Sequence, residues 1–107
     1  MYIIFHAIEF DKKLDKFFSP EEKRQIDNFE KKQLIYNPYV GDPLSYKFLR
    51  EKKVGGKRIY FLIYEELMVV LMVTTSDKKW QQETIALIKS NLREYYLVVQ
   101  EALKQRV

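Results

Sequence analysis

The sequence predicts one α+β domain over residues 1–107. Its mainly antiparallel four-stranded sheet carries an N-terminal helical hairpin and a long C-terminal helix, in the order β-α-α-β-β-β-α. Three observations predict it. Three strand-like runs follow one another from Tyr46 to Thr74 with only tight-turn signals between them. Two short segments with apolar residues at helical spacing precede them. A stripe of apolar residues stepping by three and four fills the stretch from Ser76 to Lys104.

The elements follow in order. "YIIFHAIEF" reads as a first strand, because Tyr2, Ile3, Ile4 and Phe5 are strand formers. In "FDKKLDKFF" the residues Phe10, Leu14, Phe17 and Phe18 fall on one side of a short helix. The second helix opens at Ser19, which can N-cap it. Pro20 suits the first helical position, and Glu22 completes a capping box. Ile26 and Phe29 mark its buried side. Asn37-Pro38 stops it, because the residue before a proline is pushed out of the α region. "NPYVGDPLS" is loop. Strands are expected over Tyr46–Lys53, Lys57–Tyr64 and Leu67–Thr74, with a hairpin turn at Gly55-Gly56. In the middle strand Arg58, Tyr60, Leu62 and Tyr64 share one face, and Ile59, Phe61 and Ile63 the other. The last strand is apolar on both faces, as a doubly covered strand would be. Ser76 or Asp77 can cap the final helix. Its stripe runs Ile85, Ile88, Leu92, Tyr96, Val99 and Leu103. So long a helix outruns a single sheet, so its second half is expected to pack on the chain's own helices or to form a homodimer.

Composition excludes several classes. With 47% hydrophobic and 15% aromatic residues the chain can build a core, which argues against disorder. There is no cysteine, hence no disulfide framework and no thiolate metal site, as suits a cytoplasmic protein. "MYIIFHAIEF" lacks the basic start of a signal peptide, and no apolar run is long enough for a membrane span. No metal or cofactor is expected.

The charge is unevenly spread. The formal net charge is +4, and the hairpin Lys47 to Arg58 alone holds six cations against the single acid Glu51. Such a patch is either a solvated edge guarded by lysines or a surface for phosphates. His6 is the only histidine, and its apolar strand suggests a structural role. Trp80 reads as a partner or core contact, or as a platform for a base.

Two linked motifs point further. "LIYNPYVGDPL" places Leu34, Asn37, Pro38, Gly41, Pro43 and Leu44 in one spacing. "VGGKRIYFLIYEE" adds Val54, Gly55, Arg58, Ile59 and Phe61. In this spacing and element order the chain resembles the RelE/ParE superfamily of bacterial and archaeal toxins, over roughly Phe10 to Thr74. The resemblance implies a RelE-like fold and a toxin neutralised by an antitoxin that wraps it. RelE-like members are mRNA interferases, endoribonucleases that cleave mRNA in the ribosomal decoding site without a metal. ParE-like members inhibit DNA gyrase and have no nuclease chemistry. A binding module of the same fold that has lost toxicity is a third reading.

The resemblance also implies site residues. Arg58 matches the arginine of the family's "YR" motif and would stabilise the crowded phosphate; its fork of donors suits that task. Lys53 matches the basic residue before the "VG", with Lys52 and Arg50 just upstream. A lysine serves as base where neighbouring cations depress its pKa, and this cluster supplies such neighbours. Strand alternation puts Arg50 and Lys52 on the face opposite Lys53, so which lysine it would be stays open. Lys47, Lys57, Lys78, Lys79 and Trp80 are the candidate RNA contacts. Aligned without gaps, a RelE catalytic lysine falls on Glu51. "SDKKWQQET" stands where RelE has an arginine-rich stretch followed by a tyrosine.

Overall fold

The computed structural model describes residues 1–106. The first strand, β1 (Ile3–His6), is shorter than its run of strand formers. Helix α1 (Ile8–Phe17) takes over early and buries Phe10 completely. Helix α2 (Pro20–Phe29) opens on the expected capping box: the Glu22 amide donates to Ser19 Oγ at 3.1 Å, and Glu22 Oε1 accepts from the Ser19 amide at 2.9 Å. It continues through a π-helical turn, Glu30–Leu34, in which the Ile35 amide bonds back to the Glu30 carbonyl. Both ends of that turn, Glu30 and Leu34, are buried.

The sheet has five strands rather than four, in the order β1-β5-β4-β3-β2. The added strand is β2 (Asp42–Pro43), two residues that pair antiparallel with β3 (Leu49–Val54). A proline fits there because an edge strand needs no outward N–H. Gly41 allows the close approach: a Cβ on it would lie 2.8 Å from Phe61 Cζ and 2.9 Å from the Glu51 carbonyl. The strand expected from Tyr46 starts only at Leu49. Tyr46 and Phe48 belong to the preceding turn, which the Leu49 amide closes on the Tyr46 carbonyl. Their exposed rings stack on each other at 5.0 Å.

Strand β4 (Lys57–Tyr64) has the bounds its alternation predicts and pairs antiparallel with β3 and with β5 (Val69–Asp77). The β4–β5 connection is a 3₁₀ turn, Glu65–Leu67, closed by Met68 in the left-handed region (φ 54°). β1 joins the other edge of β5 in parallel, from Ile3 opposite Val69 to His6 opposite Met72.

Both faces of the sheet are covered, and the alternation of β4 sorts the core into two. Ile59, Phe61 and Ile63 pack with Val70, Met72 and the hairpin residues Phe10, Ile26 and Phe29. Tyr60 and Leu62 pack with Val69, Leu71, Val73, Ile88 and Val99. β5 feeds both, which is why it is apolar throughout.

The C-terminal helix is not continuous. It divides into α3 (Gln81–Ser90) and α4 (Leu92–Gln105) around Asn91. The Asn91 side-chain amide donates to the Leu87 carbonyl at 2.8 Å, taking up an acceptor the helical ladder would use. The break lets Leu92, Tyr95, Val99 and Leu103 return to the sheet face that α3 covers. The expectation of a single helix overrunning the sheet is thereby corrected: the second half packs on the chain's own strands. The start is also later than expected. Asp77 Oδ1 accepts from the Trp80 amide at 3.1 Å and closes a turn before α3 instead of capping it directly. Among the described residues no helix is long and apolar enough to cross a membrane.

Candidate functional site

The basic hairpin is β3, the Gly55-Gly56 turn and β4. Gly55 has φ 61°, which the turn requires and a side chain would resist. The turn rests on the start of α2, where a Cβ on Gly55 would lie 2.7 Å from Glu22 Oε2. Lys57 Nζ donates to Glu22 Oε1 at 2.8 Å and lies 4.8 Å from the Phe18 ring centre. The Lys57 and Ser19 hydrogen bonds hold the Glu22 carboxyl below its ordinary pKa. Lys57 therefore ties the hairpin tip to the helices.

The pleat separates the candidate cations. Arg50 lies opposite Phe61 and Lys52 opposite Ile59, and Lys52 Nζ sits 5.2 Å from the Phe29 ring centre, on the helical-hairpin face. Arg50 clamps the loop before β3. Its Nε donates to the Gly41 carbonyl at 3.0 Å, Nη1 to Lys47 at 3.1 Å and Nη2 to Tyr39 at 2.8 Å. Lys53 lies directly opposite Arg58 and is exposed.

Arg58 is only 8% exposed. Its Nε has no hydrogen-bond partner among the described residues; the nearest acid, Glu51 Oε2, is 3.6 Å away. Glu51, 3% exposed, is held from behind by Gln81 Nε2, which donates to Glu51 Oε1 at 2.7 Å. Beside them the Tyr60 hydroxyl bonds to Ser76 Oγ at 2.8 Å, and burial raises the Tyr60 pKa. The result is a guanidinium fixed by charge against a carboxylate, with an exposed lysine across the strand pair and hydroxyls alongside. Such a corner can grip an anion that approaches from the Lys53 side.

Lys78, Lys79 and Trp80 form the exposed turn after β5, whose last residue Asp77 pairs with Lys57; they stand at the Arg58 end of the hairpin. Lys47 lies at the other end, roughly 15–20 Å along the strand direction from Lys53, with its Nζ 5.2 Å from the Tyr39 ring centre. The structure thus gathers Arg58, Lys53, Lys78, Lys79 and Trp80 at one end. It sets Arg50, Lys52 and Lys47 apart.

Sequence reasoning missed Glu51, Gln81, Tyr60 and Ser76 as parts of this corner. A signal for Glu51 existed: it is the lone acid among six cations, two residues before Lys53 and so on the same face. Gln81 carried no such signal, since it reaches Glu51 only through the packing of α3.

No protein-family model and no curated protein matches the sequence. Solved structures do match. A free-state variant of Escherichia coli toxin RelE aligns with 81% of this chain and 97% of its own, at TM-score 0.65 and 14% identity. This chain has a RelE-like fold. A chain of the RelBE2 toxin–antitoxin complex from Mycobacterium tuberculosis aligns at TM-score 0.61 and 20% identity, over 72% of this chain and 98% of its own. The archaeal RelE–RelB complex from Pyrococcus horikoshii gives TM-score 0.56 and 13% identity, over 72% and 94%. At these identities the likeness is one of fold. The RelE-like architecture places the hairpin and its Arg58 corner beside the β5–α3 turn.

Proposed function

We propose that this chain is the toxin of a toxin–antitoxin pair, a RelE-like mRNA interferase that cleaves RNA without a metal, on the ribosome. The observation that carries the reading is Arg58. It is a nearly buried guanidinium with an unbonded Nε, at the end of a basic hairpin, in a RelE-like fold. In the reaction the 2′-hydroxyl gives up its proton and attacks the adjacent phosphorus, the bond to the 5′-oxygen breaks with that oxygen taking up a proton, and a 2′,3′-cyclic phosphate forms. Arg58 stabilises the charge that builds on the phosphate oxygens, and Lys53 is the accessible cation opposite it. Glu51 positions Arg58 and is in turn positioned by Gln81. Arg50 and Lys52 support the fold around the site. Lys78 and Lys79 supply phosphate contacts, and Trp80 offers a ring for a base. An antitoxin that covers this face would silence the protein.

A second reading has its own observation. Glu51 offsets the charge of Arg58, as suits a binding domain of the same fold, whether a ParE-like inhibitor of a protein target or a module without toxicity. Induced expression of wild type and Arg58→Ala, with translation and mRNA cleavage followed together, separates the two. Cleavage that depends on Arg58 is expected. Growth inhibition without RNA cleavage would support the inhibitor.

A further inference from the structure

β1 ends at His6 opposite Met72, so among the described residues the second half of β5 has no strand on its outer side. Along that edge, between α1 and the start of α3, runs a groove of about 380 Å³. Phe17 and Trp80 line it, and each exposes about half its surface, 51% and 53%. Two half-exposed aromatics lining one groove make an apolar patch of the kind that marks a ligand or partner site. Ser76, Asp77 and Thr84 add a few polar groups, as in sites that orient a planar ligand. A lysine attends each ring: Lys16 Nζ is 5.3 Å from the Phe17 centre, and Lys79 Nζ is 5.5 Å from that of Trp80.

We infer that this groove binds one unstacked nucleobase of a single-stranded RNA, with Phe17 and Trp80 as stacking surfaces and Lys16 and Lys79 at the flanking phosphates. Aromatic rings interleaved with cations are what sequence-tolerant single-strand binding requires. An extended peptide is the other occupant an open strand edge invites. Here Lys13 stands in its way. Its Nζ donates to the Thr75 carbonyl at 3.3 Å and to Thr74 Oγ1 at 3.1 Å, so a backbone acceptor that an added strand would use is engaged and an ammonium sits on the edge. The groove also adjoins the Arg58 corner. Ser76 lines it while bonding Tyr60, and Lys57 lines it from the face of β4 opposite Arg58. The inference takes its substrate class from the RNA reading above, and adds a base-binding subsite on the far side of the β5–α3 turn from Glu51 and Arg58.

Trp80 is the only tryptophan, so emission excited selectively from tryptophan and not from the eight tyrosines reports on this groove alone. The test titrates a short fluorescein-labelled 2′-O-methyl oligoribonucleotide, which cannot be cleaved, and follows its anisotropy. A parallel titration with the unlabelled strand follows Trp80 emission. Saturable quenching is expected, with the same midpoint as the anisotropy. Phe17→Ala should weaken binding about tenfold and leave the salt dependence unchanged, because it removes no phosphate contact. Its half-exposed position should spare the fold, which circular dichroism checks. Binding without quenching, Phe17→Ala binding as well as wild type, or no binding at all would overturn the inference. So would quenching by an acidic peptide and not by RNA. Arg58→Ala keeps the two claims apart. Quenching that survives in a variant without cleavage leaves the groove standing, and cleavage without quenching removes the groove and the stacking role of Trp80 while leaving that of Arg58.

Discussion

Arg50 and Arg58 belong to the same hairpin and are equally buried, each 8% exposed. Arg50 spends its guanidinium on three backbone carbonyls of one loop. Arg58 has an Nε with no partner and a carboxylate just beyond hydrogen-bond reach. The difference teaches that burial and charge do not by themselves mark a functional arginine. A buried cation whose three nitrogens all donate to backbone carbonyls has its work inside the fold. One that is held beside a carboxylate and makes no hydrogen bond among the described residues keeps the outer donors of its guanidinium, rather than the buried Nε, for a ligand.

The largest expected effect follows from that contrast. Arg58→Ala should lower RNA cleavage by about a hundredfold or more, the usual cost of losing one donor to a transition-state oxyanion. Arg58→Lys should recover only part, since an ammonium lacks the bidentate fork. Arg50→Lys should leave cleavage per folded molecule near wild type. An Arg58→Ala protein that cleaves at the wild-type rate would dissolve the comparison.

Arg50→Ala should instead appear in stability. It strands the carbonyls of Tyr39, Gly41 and Lys47 and frees the loop that supplies β2. A loss of about 2–3 kcal/mol is expected, a fall in Tm of about 10–20 °C for a domain of this size. Thermal denaturation followed by circular dichroism measures it. A change below 1 °C would mean the clamp is dispensable.

Glu51 sharpens the comparison further, because its carboxylate is nearly inaccessible. Arg58→Ala leaves that charge buried without a cation, so part of the damage is to the fold. Adding Glu51→Gln should restore about 1–2 kcal/mol of stability without restoring cleavage. A double variant no more stable than Arg58→Ala would show that the pair is not coupled.

Much of this was legible in the sequence where local chemistry decides. Ser19, Pro20 and Glu22 spell out a capping box, and the alternation of β4 assigns its two faces correctly. The RelE-like fold was legible from two motifs at a fixed separation. The misses share a cause, which is that they depend on contacts distant in sequence. β1 is fixed by a parallel partner more than sixty residues away. β2 exists because Arg50 and Phe61 shape a loop with almost no strand propensity. The break at Asn91 lies inside an unbroken apolar stripe, so periodicity could not show it. In the candidate site, the faces of Lys52 and Lys53 followed from alternation, whereas the Gln81–Glu51 contact required the packing of α3.

A second satisfied cation gives the smallest effect and the last test of the contrast. His6 Nδ1 lies 2.6 Å from Asp11 Oδ1, and Nε2 lies 2.8 Å from Glu30 Oε2, so the ring joins β1 to both helices of the hairpin. Burial works against the charged ring, but the hydrogen bonds and charges of Glu30 and then Asp11 outweigh it and raise its pKa to about 9. A raised folded-state pKa means that the stabilisation is complete below the ordinary histidine value, about 6.5. It is lost as the pH rises through about 9. The ring is partly open to solvent, so screening reduces the contribution to about 1 kcal/mol. Wild-type stability in urea should therefore fall by about that much between pH 6 and pH 9.5, beyond any change in His6→Gln, which carries no proton to lose. Parallel pH profiles for the two proteins would show that His6 draws nothing from its carboxylates, and that meeting every donor of a cation need not stabilise this fold.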